Sequence, residues 1–417
     1  MNLGLKELIA KIALSSSIKE AAELYKIFEG ILKDYVFILS FDKSSAAIPG
    51  LAVDKNFSKT GAIRGLYKYN NVFVLSGKTV DSLLSGKKEE IPIDYSISLD
   101  TQAVSYLYSY FFDRNNNRLP GDLDELFRFI IEPDVNVDPI PHLTENTYNL
   151  KSGGNLDEIY NVKLAYEMFR NLDIEAFKNE NKLKFNKTEF EIQQIAQQQM
   201  SQEIFRLTNE QFNAEYERMF HEQYLIILII AIIRWKYSKK PIYTKIYTYF
   251  EMNQKYLGLM SVRDANLAYA IFSNKSNFFG KIQKNSDELV RKMKAMAWDI
   301  FHFRYLEKAS TFSLSENADY FFPALCSFDN EFVKLIDFYK LSGLVYNKED
   351  SDIYPFYAFG MDDMIELSDK HKMQIQEAFF TSDAIIKRQN TCENKRMRFN
   401  QSVLELEEEL FNLKCEN

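Results

Sequence analysis

The sequence predicts a helix-rich α/β fold with a short parallel sheet at its centre. Apolar runs of strand length recur at 36–41, 72–76, 93–99 and 321–328. Between them lie long stretches with apolar residues at near-helical spacing. Two of the runs end in an aspartate: Ser96-Ile-Ser-Leu-Asp100 and Leu325-Cys-Ser-Phe-Asp329. In an open α/β sheet, side chains leaving the carboxyl ends of parallel strands converge although they are distant in sequence.

Residues 4–35 read as helix, with Leu5, Leu8, Ile9, Ile12, Ala21, Leu24, Ile27 and Leu32 repeating at helical intervals. The strand at 36–41 ends at Asp42, and the strand at 72–76 ends at Gly77. A Lys-Lys-Glu-Glu run at 87–90 reads as a linker. After the strand at 93–99, a helix is expected over 102–112 and another over 122–131, joined by the turn-forming stretch 115–121. Prolines and aspartates crowd 133–141, ahead of His142-Leu-Thr-Glu-Asn146.

From 157 to 257 the pattern is helical and polar, with a Gln/Glu-rich portion at 193–223 that reads as one face of a helical pair. It leads into the apolar run 224–233, too short for the ~20 residues a bilayer demands and flanked by Glu222 and Arg234, so a buried core helix and no membrane are expected. Residues 261–308 read as helices, and the tail 396–415 as an amphipathic helix.

Composition sets limits on function. With 417 residues, 46% of them hydrophobic and 15% aromatic, the chain has material for two or three domains or one with a large insertion. The net charge of −8 argues against a surface that is basic throughout but leaves room for a local basic groove. Three cysteines, Cys326, Cys392 and Cys415, lack metal-like spacing and do not pair evenly, which fits a reducing cytoplasm. The N-terminal apolar positions are interrupted by Lys6, Glu7 and Lys11, unlike a signal peptide. Four histidines show no zinc spacing, and neither a phosphate-cradling glycine loop nor a nucleophile elbow occurs.

The chemistry therefore rests on carboxylates. Converging carboxylates repel one another unless protonated or bridged by cations, and Mg²⁺ or Mn²⁺ suits such oxygen ligands. Each strand-end aspartate also has a plain structural reading as a helix N-cap. Their order along the chain points further. The segment Ser98-Leu-Asp-Thr-Gln-Ala-Val-Ser-Tyr-Leu107 resembles the opening strand and helix of PIN-domain ribonucleases. Pro139-Ile-Pro-His-Leu-Thr-Glu-Asn146 resembles the helix that presents the family's second acid, and Leu325-Cys-Ser-Phe-Asp-Asn-Glu-Phe-Val-Lys-Leu335 its last motif. The third acid has two candidates: Arg263-Asp-Ala-Asn-Leu-Ala-Tyr-Ala270 is similar to the family's Asp-Ala helix start, whereas Ala297-Trp-Asp-Ile-Phe-His-Phe-Arg304 has the favoured position, one helix before the last strand.

The resemblance covers roughly 93–112, 135–150 and 290–340. It implies a metal-dependent nuclease in which Asp100, Glu145, Asp299 and Asp329 hold one or two Mg²⁺ or Mn²⁺ ions, with Asp264 in reserve. It implies a PIN-like core in two parts, 91–150 and 261–345, split by a helical insertion over 151–260. A separate domain at 1–90 and a helical extension at 346–417 would flank that core. Thr101, His302 and Arg304 would contact substrate; so would Arg234 and Lys236, which lie where cations alternate with aromatics as in single-strand binding. A second basic group, Lys387, Arg388 and 395–398, reads as solvated surface. RNA or DNA is the expected partner, with a protein partner or a second copy also admitted, and a toxin or anti-phage role follows only by family analogy. The competing expectation is a non-catalytic helical interaction protein whose acids are caps and solvated charges.

Overall fold

The computed structural model describes residues 3–42, 54–69, 71–87, 91–113, 117–132, 135–150, 153–206, 209–260, 262–311, 318–349 and 352–415. Most of the 87–90 linker, part of the 115–121 turn stretch and the start of the Pro/Asp-rich segment lie outside them. The chain divides into two compact units, Met1–Asn209 with Arg304–Ala358 and Glu210–Phe303 with Phe359–Asn417. All strands among the described residues belong to the first, here the sheet unit.

Among the described residues nine strands form two sheets: β1 Tyr35–Phe41, β2 Lys55–Asn56, β3 Ala62–Gly65, β4 Asn71–Leu75, β5 Ile93–Leu99, β6 Val137–Asp138, β7 Tyr320–Ser327, β8 Leu341–Asn347 and β9 Ile353–Tyr357. One sheet is antiparallel throughout, in the order β4-β1-β8-β9. The other runs β2-β3-β7-β5-β6 and is mixed: β6, β5 and β7 are mutually parallel, and β3 joins β7 antiparallel. The class is thus α/β and helix-rich, but the parallel strands share the unit with an antiparallel sheet that the sequence reading did not anticipate.

β5 and β7 are buried where they meet. From Ile93↔Tyr320 to Leu99↔Cys326 they stay in register. Pro323 sits inside β7 at no cost to the ladder. The Cys326 carbonyl faces β5, accepting from the Asp100 N–H at 3.0 Å, so alternation turns the Pro323 backbone toward β3. β3 stops pairing at Ala324, one residue short of the proline. Helices Thr101–Phe112 and Leu123–Ile130 bury Val104, Leu107, Tyr110, Leu126 and Phe127 with Ile97, Leu99 and Cys326 in a single core. A second core joins the helices Leu3–Ala13 and Ile18–Ile27 to Phe37, Leu39, Leu75 and Val345 of the antiparallel sheet.

The expected domain boundaries need correction. Residues 1–90 do not form a domain of their own: β1 and β4 pair with each other and β1 with β8, while β3 joins β7. Residues 346–417 are not wholly helical, because β8 runs to Asn347 and β9 follows. Their pairing is bulged between Leu341 and Gly343, and β9 carries Pro355, which is tolerated at a sheet edge; no clean alternation announced them. The stretch 261–345 is shared between the two units, the division falling after Phe303.

In the helical unit, Tyr224 to Ile233 lie within the helix Glu210–Lys236, and all ten are buried. This helix packs on Ile242–Tyr256 and Phe399–Cys415, with the Tyr224 hydroxyl donating to Glu407 at 2.6 Å. Among the described residues no helix is long and apolar enough to cross a membrane. Ile229→Ala removes a fully buried side chain from this helix, and the expected loss is about 2–5 kcal/mol, measured by urea unfolding of the whole chain.

Candidate active site

The parallel register of β5 and β7 ends both strands side by side, and each is followed at once by a helix. Asp100 is the N-cap of Thr101–Phe112, its Oδ1 accepting from the Ala103 N–H at 2.6 Å. Asp329 is the N-cap of Asn330–Phe338, its Oδ1 accepting from the N–H groups of Glu331 and Phe332 at 3.0 and 3.2 Å. The two aspartates whose convergence required neighbouring strands therefore do leave adjacent strand ends.

Ser327 ties them together. Its buried hydroxyl hydrogen-bonds the Asp100 carboxylate and accepts from the Asp329 N–H at 3.0 Å. Glu145, on the helix Ile140–Asn149, joins from the other side of β5, its Oε2 accepting from the Thr101 hydroxyl at 2.6 Å. Asp138 closes β6, where it accepts from the hydroxyls of Ser96 and Ser98 and from the Ile140 N–H.

Electrostatics mark out two of these acids. Burial pushes the Asp100 carboxyl up to about 6; the Asp329 charge adds to the rise, against the opposing Ser327, Ala103 and Gln102 hydrogen bonds. Burial pushes Glu145 up to about 7, and the charges of Asp100 and Glu158 push the same way against the Thr101 hydrogen bond. Burial also raises Asp138. Among the described residues neither Asp100 nor Glu145 has an ion-pair partner, so their charge is desolvated without being compensated.

The other expected site residues go elsewhere. Asp264 and Asp299 both belong to the helical unit, Asp264 fully buried beside Arg263 at 3.4 Å and Asp299 in mid-helix within Leu289–Ala309. The acidic group at the strand ends of the sheet unit is Asp100, Glu145 and Asp329, while Asp264 and Asp299 belong to the other unit. Helical Asp-Ala spacing carries no information about which unit a helix joins. His302 is buried among Trp298 and Phe301 in the helical unit. Arg304, in the sheet unit, is bonded to Glu307 at 2.8 Å and lies over the rings of Tyr339 and Tyr357, so a structural ion pair replaces the expected phosphate contact. Arg234 leans on the Phe279 ring and carbonyl, and Lys236 pairs with Glu409 at 2.7 Å, both in the helical unit.

Sequence reading missed Ser327 and Asp138. A signal existed for the second: Ser96, Ser98 and Asp100 alternate along β5, so both serines face the same side and Asp138 meets them.

Among the described residues, no three His, Cys, Asp or Glu side chains lie close enough together to hold a metal ion. A caged metal therefore does not fit. A hard cation of the Mg²⁺ kind does, because it binds through one or two carboxylates and completes its shell with water and phosphate. Asp100 with Glu145 or Asp329 would be the pair of oxygen donors for such an ion, and of these Asp100 is the buried one. Comparison with protein-family models, curated protein sequences and solved structures finds no match to this chain.

The raised acids predict a stability profile. A carboxyl whose folded pKa lies above its unfolded value favours folding when protonated. Its contribution is complete below the unfolded pKa and is lost as pH rises through the folded one, here from about 4 to about 6 for Asp100. Asp100→Asn keeps the helix cap and removes the charge. It is expected to stabilise the protein at pH 8, by on the order of 3 kcal/mol, and to leave it nearly unchanged at pH 4. Thermal melts of both proteins at the two pH values check this.

Proposed function

We propose that the sheet unit is a metal-dependent nuclease of PIN-like type, hydrolysing phosphodiester bonds of RNA or DNA with Mg²⁺ or Mn²⁺. The observation that carries the reading is the pair Asp100 and Glu145: the one buried and the other half-buried, both raised toward neutrality, repelling one another and, among the described residues, without an ion-pair partner. Groups held so at a cost to folding are a mark of functional sites. The setting agrees, since ligands gather at the carboxyl ends of parallel strands.

Within this reading Asp100, with either Glu145 or Asp329, supplies the one or two carboxylates that hold the ion, with water and phosphate completing its shell. The ion supplies an activated water and neutralises charge that develops on the phosphate. The chain does the positioning. The helix caps fix one oxygen each of Asp100 and Asp329, and Ser327 hydrogen-bonds both the Asp100 carboxylate and the Asp329 N–H. The Thr101 hydroxyl orients Glu145, whose carboxyl exchanges its proton near neutral pH in the metal-free protein, as a general base requires.

One observation favours a non-catalytic interaction protein instead: as N-caps, Asp100 and Asp329 each already have a structural role. The two readings separate in one assay. Labelled single-stranded RNA and DNA are incubated with Mg²⁺, Mn²⁺ or EDTA and with the wild type, Asp100→Asn or Asp329→Asn. Cleavage is expected only with metal and is expected to fall at least about a hundredfold in each variant, while both still melt cooperatively. Cleavage unchanged by the substitutions removes these residues from catalysis. No cleavage by the wild type under any metal condition favours the interaction protein.

A further inference from the structure

Beside Asp329 the sheet unit has a cleft of 220 Å³, lined by residues from the β2–β3 edge, the loop between those strands and the helix Asn330–Phe338. Its charge is opposite to that of the chain. Lys59, Arg64 and Lys334 face it with a single carboxylate, Asp337, in a protein of net charge −8. Asn56, Thr60 and Asn330 add neutral polar groups.

The three cations are held differently. Arg64 is fixed as part of the wall, its guanidinium donating to Asp337 at 3.1 Å and to Asn56 at 2.8 Å. Lys334 is exposed and pairs one turn back with Glu331, a surface pair worth little and readily exchanged for a phosphate. Lys59 is exposed, and among the described residues its ammonium has no hydrogen-bond or ion-pair partner. It lies over Gly121, where a Cβ would stand 2.5 Å from the Lys59 Nζ.

The loop carrying Lys59 is rigidly placed. Buried Asp122 accepts from the N–H groups of Lys59, Thr60 and Gly61 at 3.0, 2.7 and 2.8 Å, and Glu125 accepts from that of Ser58 at 2.8 Å. Burial pushes the Asp122 carboxyl up, but these backbone donors outweigh it and hold it below the usual range, so the clamp stays charged. Gly61 is seated on Phe328: a Cβ there would fall 2.9 Å from its ring. The loop thus touches the residue before Asp329, and Asn330 in the cleft wall is the residue after it.

We infer that this cleft binds the phosphodiester backbone of a single-stranded nucleic acid, next to the bond presented to Asp100 and Asp329. The inference rests on the nuclease reading for the adjoining acids, but the charge and shape of the cleft stand without it. At 220 Å³ it is smaller than the about 300–1,000 Å³ of pockets that enclose a whole small molecule, and suits one phosphate–sugar unit of a longer strand. Lys59 and Lys334 are the exchangeable phosphate contacts, and Arg64 sets the potential behind them.

The test is binding of fluorescein-labelled oligo(dT) and oligo(U), by anisotropy in EDTA across a salt series, to the full-length wild type and to Lys59→Glu with Lys334→Glu. The expected result is at least a tenfold loss of affinity in the double variant. The slope of log affinity against log salt should fall by about 1.4, two contacts at ~0.7 each. Both side chains are exposed, so the melting temperature should hold, and Lys59→Gln with Lys334→Gln should give an intermediate loss. Unchanged affinity and slope in a folded double variant overturn the inference, as does the absence of wild-type binding. Binding lost in the variant but no cleavage by the wild type upholds the cleft and sinks the nuclease reading. Metal-dependent cleavage with unaltered KM in the double variant does the reverse.

Discussion

Everything at the acidic site depends on the parallel pairing of β5 with β7. Seven residues of each strand run in register, and the Asp100 N–H carries the ladder one rung past the last strand residue onto the Cys326 carbonyl. Parallel strands cannot be joined by a tight turn, so the chain must leave and return between them. Here it leaves at residue 99 and returns at residue 320, passing through β6 and most of the helical segments. Such a long excursion is tolerated because the entropy of closing a loop grows only with the logarithm of its length. The two strands, buried on both sides, regain that cost through core residues contributed by the helices that follow β5.

The same pairing creates an electrostatic problem that the fold only partly relieves. Two strand ends that close together bring two aspartates into each other's field. Helix N-termini offer each of them backbone N–H groups, and Ser327 adds a hydroxyl. For Asp100 this is insufficient against desolvation, and its carboxyl stays raised. The contrast with Asp122 is instructive. That residue is less deeply enclosed by protein and accepts from three consecutive backbone N–H groups, and together these hold its carboxyl below the usual range. The chain can therefore stabilise a buried carboxylate where the role is structural. At Asp100 and Glu145 it has not done so, and the resulting demand for a cation is the physical basis of the nuclease proposal.

The sheet unit also separates cations by role. Arg304 is buried with Glu307 between two tyrosine rings, and Lys340 is buried against Asp54 and the Gly65 carbonyl. Arg304 is unavailable to a ligand without breaking a desolvated pair, which costs several kcal/mol, and Lys340 is held by its buried bond to the Gly65 carbonyl as well as by Asp54. Lys59 and Lys334 lie in solvent at the edge of a cleft and can exchange partners freely. Sequence reading singled out Arg304 and passed over Lys59; burial reverses that order.

Much of the secondary structure was legible because it is written in periodicity. The runs at 36–41, 72–76, 93–99 and 321–328 correspond to β1, β4, β5 and β7, and the apolar stretch 224–233 is a segment of a long helix buried on every side. Asp100 and Asp329 were legible as strand-end residues, since an apolar run broken by aspartate is a local pattern. β2, β3 and β6, of two to four residues, were not, because so few positions hold no readable alternation; β8 and β9 were missed for want of an apolar run as continuous as that of β1 or β7. Partnership was equally hidden. Whether Asp299 or Glu145 sits with Asp100 depends on which helices join the sheet unit, and that depends on packing summed over distant surfaces. By itself, then, the sequence determined the elements and the residues at their ends, because short-range backbone and side-chain preferences act within a few positions. Only the tertiary structure decided which ends meet, which charges are desolvated and which cations remain free, because burial and Coulomb interaction act through space and have no trace in spacing along the chain.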